Sequence, residues 1–130
     1  MENKIKLLAM DDEPSILNYF TGYFALKGYA TFGALDSTQA LKIVQEERPE
    51  ICILDIIMDK SPLDGIQVLS EIKKFDKEIL CIMVSRIMDN DRINEAKELG
   101  AFDFIVKPFL PADLKKVVTS AAGEVIKKRK

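Results

Sequence analysis

Histidine is absent from the 130 residues. A chain without imidazole has no histidine base, histidine metal ligand or histidine phosphoryl carrier of its own. If phosphate is handled here, carboxylates and lysine must do it. An excess of positive charge is also missing. Lys+Arg number 19 against Asp+Glu 21, for a formal net charge of -2, so there is no general basic field for direct nucleic-acid binding. No apolar run approaches the ~20 residues of a membrane span, and Met1-Glu2-Asn3-Lys4 does not read as the start of a secretory signal. Cysteine is scarce. Cys52 and Cys81 each sit inside an apolar run, Ile51-Cys52-Ile53 and Leu80-Cys81-Ile82. Buried free thiols in a reducing cytoplasm are expected, rather than a disulfide.

What is present suits a single domain over residues 1–130. Hydrophobic residues make up 48% and charged residues 31%, enough for a core and a solvated surface. Short apolar runs alternate with helical patterns. The runs are Ile5–Met10, a weak Tyr29–Phe32, Ile51–Leu54, Ile79–Val84 and Phe102–Val106. The first helix is predicted from Pro14 to a stop at Gly28, with Ile16, Leu17, Phe20 and Phe24 at helical spacing. Asp36-Ser37-Thr38 offers caps for a second helix that Pro49 closes, and Asp64-Gly65 precedes a third. Asp89 or Asn90 caps a fourth helix ending at Gly100, and Pro111 opens a fifth. Five βα units imply an α/β fold with a parallel sheet covered on both faces. The basic tail Lys127-Lys128-Arg129-Lys130 reads as a solvated helix end.

The ends of the strand runs carry the chemistry. The first ends in Asp11-Asp12, the third in Asp55, the fourth in Ser85 and the fifth in Lys107. In an open parallel sheet the C-terminal ends share one edge, where ligands bind. Each residue has an ordinary reading: Asp11 and Asp12 as caps of the first helix, Asp55 in a turn, Ser85 on a loop amide, Lys107 on the surface. Together they make a coherent phosphoryl-transfer site. Clustered carboxylates call for a cation, and hard oxygen donors suit Mg²⁺ or Mn²⁺. One carboxylate can act as nucleophile, lysine supplies a point charge for phosphate, and a hydroxyl can donate to a phosphoryl oxygen.

Four motifs carry a resemblance over essentially the full length: Met10-Asp11-Asp12-Glu13-Pro14, Ile53-Leu54-Asp55-Ile56-Ile57-Met58, Met83-Val84-Ser85 and Val106-Lys107-Pro108-Phe109. In this order and spacing the chain resembles response-regulator receiver domains of two-component signalling. The resemblance implies a flavodoxin-like fold with strand order 2-1-3-4-5 and a phosphorylation-dependent switch. It implies Asp55 as phosphoacceptor, with Mg²⁺ held by Asp12, Asp55 and the backbone carbonyl of Ile57, and by Asp11 through water. Ser85 and Lys107 would contact the phosphoryl group, and Phe104 holds the position of the switch aromatic. The donor would be a sensor histidine kinase or histidine phosphotransfer protein. The output would pass through the surface of the fourth helix, fifth strand and fifth helix to a downstream domain or protein, and a phosphorylation-dependent homodimer is compatible with it. Such a domain is not an enzyme on external substrates and catalyses only its own phosphorylation and dephosphorylation. Two other readings are a metal-dependent phosphohydrolase and a receiver-like binding module that takes no phosphate.

The departures from the family pattern are specific. Asp64 lies nine residues after Asp55 instead of seven, so the intervening loop is two residues longer, and Asp59 and Lys60 could lean over the site. Arg86 replaces a small residue after Ser85 and could cover the acceptor or pair with a carboxylate. Ile57 is apolar where many members place a polar side chain near hydrolytic water. These three features predict a long-lived phosphorylated state.

Overall fold

The computed structural model describes residues 3–86 and 90–129. Five strands alternate with five helices: β1 (Lys6–Met10), α1 (Pro14–Leu26), β2 (Ala30–Ala34), α2 (Ser37–Glu47), β3 (Ile51–Asp55), α3 (Gly65–Phe75), β4 (Leu80–Ser85), α4 (Asn90–Glu98), β5 (Asp103–Val106) and α5 (Pro111–Arg129). The strands form one parallel sheet in the order β2-β1-β3-β4-β5. Every residue of β3 is buried, as its unbroken apolar run requires for a central strand covered on both faces.

The core lies in two layers, one on each side of the sheet. Leu8, Met10, Cys52, Leu54, Cys81 and Met83 pack under the α2, α3 and α4 side. Leu7, Ala9, Ile51, Ile53, Ile82 and Val84 pack against α1 and α5. The alternation follows from the period of two along each strand. Phe20 and Phe24, one helical turn apart on α1, are fully buried, and burying each contributes roughly 1.5–3 kcal/mol. Cys52 and Cys81 face one another in register and are buried free thiols. No helix among the described residues is long and apolar enough to cross a membrane.

Local chemistry sets the element ends. Pro14 occupies the first turn of α1, and Gly28 beyond it takes φ 97°, a left-handed conformation that costs glycine little. Asp36 caps α2 by accepting from the Gln39 amide at 2.9 Å. Asp64 caps α3 in a reciprocal box with Gln67. Three expectations change. The weak second run extends to Ala34, because β1 supplies its full length of ladder partners up to Met10↔Ala34. Asp12 does not cap α1. Glu13 holds the cap position without a side-chain bond, and its amide donates to Asp11 Oδ1 at 2.9 Å. The basic tail is not simply solvated, since Arg129 pairs with Glu50 at 2.8 Å and donates to the Asn3 carbonyl at 2.8 Å. Asp89, the alternative cap of α4, lies outside the described residues.

Gly65 joins the third unit to the central strand. A Cβ at this position would overlap the Asp55 carbonyl oxygen and come within 2.7 Å of Ile56 Cα. Both are backbone atoms and cannot yield without moving the strand. Gly65→Ala is therefore expected to destabilise the fold by about 1–3 kcal/mol, a loss readable as a lower denaturant midpoint with unchanged slope.

Candidate functional site

Topology brings the strand ends together. Met10 is in register with Leu54, and Asp55 with Val84, so Asp11 emerges beside Asp55 at the carboxyl edge. Ser85 is in register with Val106, and the Lys107 amide donates to the Ser85 carbonyl at 2.7 Å. Asp11 is fully buried, Asp55 is 7% exposed, and Asp12 and Ser85 are half-buried. One oxygen from each of Asp11, Asp12 and Asp55 lies within 4.8 Å of the others. Lys107 Nζ sits 2.9 Å from Asp11 Oδ2 and 3.4 Å from Asp55 Oδ2.

This crowding shifts two titrations. Burial pushes the Asp55 carboxyl up to about 6, against the pull of Lys107, with the charges of Asp11 and Asp12 adding to the rise. Burial alone would lower Lys107, but hydrogen bonding to Asp11 and the nearby Asp55 charge outweigh it and raise the ammonium above its ordinary value. Three carboxylates against one ammonium leave an excess of negative charge in a poorly solvated place. The donor set is all oxygen and partly open to water, so the residues fit a hard divalent cation such as Mg²⁺. Ile56 spends its amide on the Val84 carbonyl and its carbonyl on the Gly65 amide, both at 2.9 Å. No hydrogen bond among the described residues ends on the next carbonyl, that of Ile57.

Residues 7–119 match the family described as the response regulator receiver domain. The chain belongs to this family. Its members work in phosphorylation-dependent signalling. Sporulation initiation phosphotransferase F of Bacillus subtilis (strain 168) is 40% identical over 105 residues, covering 80% of this chain and 82% of that protein. The probable transcriptional regulator ycf27 of Guillardia theta is 42% identical over 115 residues, which are 88% of this chain and 44% of that protein. The chain spans about half the length of such curated relatives, 44% and 50% for the two ycf27 proteins of Guillardia theta and Porphyridium aerugineum. Among solved structures, the receiver domain of NtrX from Brucella abortus superposes with a TM-score of 0.82 at 35% identity, covering 88% of this chain and 96% of that one.

The receiver's departures from its family take definite form. The longer loop between β3 and α3 is clasped to α2. The Ser37 amide donates to Ser61 Oγ at 2.9 Å, the Ser61 hydroxyl to the Leu63 carbonyl at 2.7 Å, and the Leu63 amide to Ser37 Oγ at 3.1 Å. In the sequence Ser37 reads only as a helix-cap candidate and Ser61 as a loop residue, since the clasp joins residues 24 positions apart. Asp59 and Lys60 are exposed. Asp59 borders a cavity of about 320 Å³ with Ile57, Ser85 and Arg92, whereas Lys60 is not part of its lining. Ile57 is 49% exposed. Phe104 is half-buried, in register with Met83 and packed on the core layer that includes Ala96 of α4. Arg86 pairs with a carboxylate, and the partner is Glu13, at 2.7 Å.

The raised Asp55 titration has a signed consequence for stability. An unfolded carboxyl loses its proton near 3.8, whereas the folded one holds it to about 6. Between these values the folded state binds more protons than the unfolded state, so stability declines as pH climbs through this window and stays lower above it. In chelator, urea midpoints of the native sequence should fall from pH 4 to pH 6.5, and Asp55→Asn should lack that step.

Proposed function

We propose that this receiver is a phosphorylation-dependent signalling switch in which Asp55 accepts a phosphoryl group from a sensor histidine kinase or histidine phosphotransfer protein. The observation that carries this reading is the position of Asp55: the last residue of a fully buried central strand, within reach of Asp11, Asp12 and Lys107. An Asp55 oxygen would form the bond to phosphorus as the donor's P–N bond breaks, giving an acyl phosphate. With its titration near 6, Asp55 is mostly ionised at neutral pH and ready to attack. Lys107, already 3.4 Å from Asp55, would turn its charge to the phosphoryl oxygens, and the Ser85 hydroxyl would donate to one of them.

Asp11, Asp12, Asp55 and the Ile57 carbonyl are the residues that would hold Mg²⁺, with Mn²⁺ as an alternative. Bound there, the cation supplies neutralising charge and contacts for the phosphoryl oxygens. The histidine that carries the phosphoryl group would lie outside these 130 residues, because they contain none. The switch would run from Ser85 to Phe104, whose half-buried ring can settle further when the Ser85 loop moves. The output surface would be α4, β5 and α5, facing a downstream domain or protein or a second copy of the domain. Cytoplasmic placement fits its buried free thiols. The domain would promote only its own phosphorylation and dephosphorylation, with no external substrate turned over.

With acetyl phosphate and Mg²⁺, the native sequence should acquire one acid-labile phosphate and Asp55→Asn none; normal labelling of that variant would refute the assignment. Titration with Mg²⁺ should show binding that Asp12→Ala abolishes. Ile57→Asn should hasten decay of the phosphorylated protein, because an amide can orient the in-line water that an isoleucine cannot.

A further inference from the structure

Glu13 and Arg86 are 73 positions apart in sequence, yet their side chains meet at 2.7 Å. Their places in the topology give that contact meaning. Glu13 follows Asp11 and Asp12 after β1, and Arg86 follows Ser85 after β4. In the order β2-β1-β3-β4-β5, these strands flank β3 on either side. The ion pair therefore runs from one neighbour of the central strand to the other, across the end where Asp55 stands. Arg86 also forms part of the wall of an open groove of about 670 Å³, whose lining includes Lys107, Phe109, Ser15 and Tyr19. An ion pair thus joins the loops that follow the two strands flanking Asp55, with a groove beside it.

We propose that the Glu13–Arg86 pair is a strap that limits how fast small acyl phosphates reach Asp55, with Arg86 as its positioning residue. This rests on Asp55 being the phosphoacceptor. In the limited reaction, an Asp55 carboxylate oxygen bonds to phosphorus while the P–O bond to the acyl group breaks and the carboxylate leaves. The donor must pass the strap before that exchange. Both strap side chains remain substantially exposed, 66% for Arg86 and 46% for Glu13, so the strap opens readily and salt weakens it. Its effect on rate is accordingly a few-fold, at most about five-fold. Because Arg86 directly follows Ser85, any movement of Ser85 toward a bound phosphoryl group pulls on the strap as well.

The test is the initial rate of acid-labile labelling by acetyl phosphate at saturating Mg²⁺, in low salt and in high salt. The set comprises the native sequence, Arg86→Ala, Glu13→Gln, the double variant, Arg86→Lys and Asp55→Asn. Glu13→Gln frees Arg86 without removing its positive charge, and so separates the strap from simple attraction of the anionic donor. Both single variants should label about two- to five-fold faster than the native sequence at low salt. The double variant should match the faster single, Arg86→Lys should stay close to native, and high salt should narrow the differences. Single variants labelling at the native rate, or a fall in Arg86→Ala beside a rise in Glu13→Gln, would overturn the strap and leave Asp55 as acceptor. No labelling of the native sequence, or full labelling of Asp55→Asn, would overturn the acceptor assignment and the strap with it.

Discussion

The bond between Lys107 and the pair Asp11 and Asp55 is the contact on which the site depends. A carboxylate that ends a fully buried strand is expensive to ionise, and two further carboxylates beside it raise the cost. The single ammonium, 2.9 Å from one and 3.4 Å from the other, offsets enough of that cost for the fold to form around them. It does not balance the charge. The remaining negative excess is what makes the place receptive to a divalent cation, and Lys107 can be redirected once other positive charge is present. A site built to be neutral would have no such demand.

The fold keeps this charge in place by fixing backbone as well as side chains. Asp55 is held by the β4 ladder on one side and by the close approach of Gly65 on the other. Asp11 is held through its amide bond to the Ala34 carbonyl and through the Glu13 amide on its own side chain. Lys107 is fixed by its amide bond to the Ser85 carbonyl. That last bond links the lysine directly to the residue expected to respond to phosphate, so a shift of Ser85 bears on β5 and on Phe104 within it. The longer loop after β3 is restrained by the Ser37–Ser61 clasp, and Arg92 of α4 pairs with the α3 cap Asp64 at 2.8 Å. The neighbours of Asp55 are thus tied to elements on both sides of it.

Most of the fold was legible because its signals are local. Period, capping and chain-breaking residues marked nine of the ten elements closely. The second strand looks short in the sequence because Gly33 and Ala34 carry little β preference of their own; pairing with β1 extends it. Residue type alone offers both Asp11 and Asp12 as caps of the first helix, whereas Glu13 takes the cap position and donates its own amide to Asp11. Arg129 looks like part of a solvated tail, because nothing near it in sequence reveals its partner Glu50, 79 positions away.

By itself the sequence determined the alternating architecture, the missing histidine that places the phosphoryl donor elsewhere, and the set Asp11, Asp12, Asp55, Ser85 and Lys107 at the ends of strands. These follow from residue type and short-range order, which hydrophobic period and turn chemistry encode directly. Only the tertiary structure decided which polar groups touch: Lys107 between Asp11 and Asp55, Arg86 on Glu13 rather than on Asp55, Ser61 on Ser37. Each of these contacts joins residues far apart along the chain, and each is selected by strand order and register. A charge recognises a partner by distance in space, and that distance exists only after the sheet has closed.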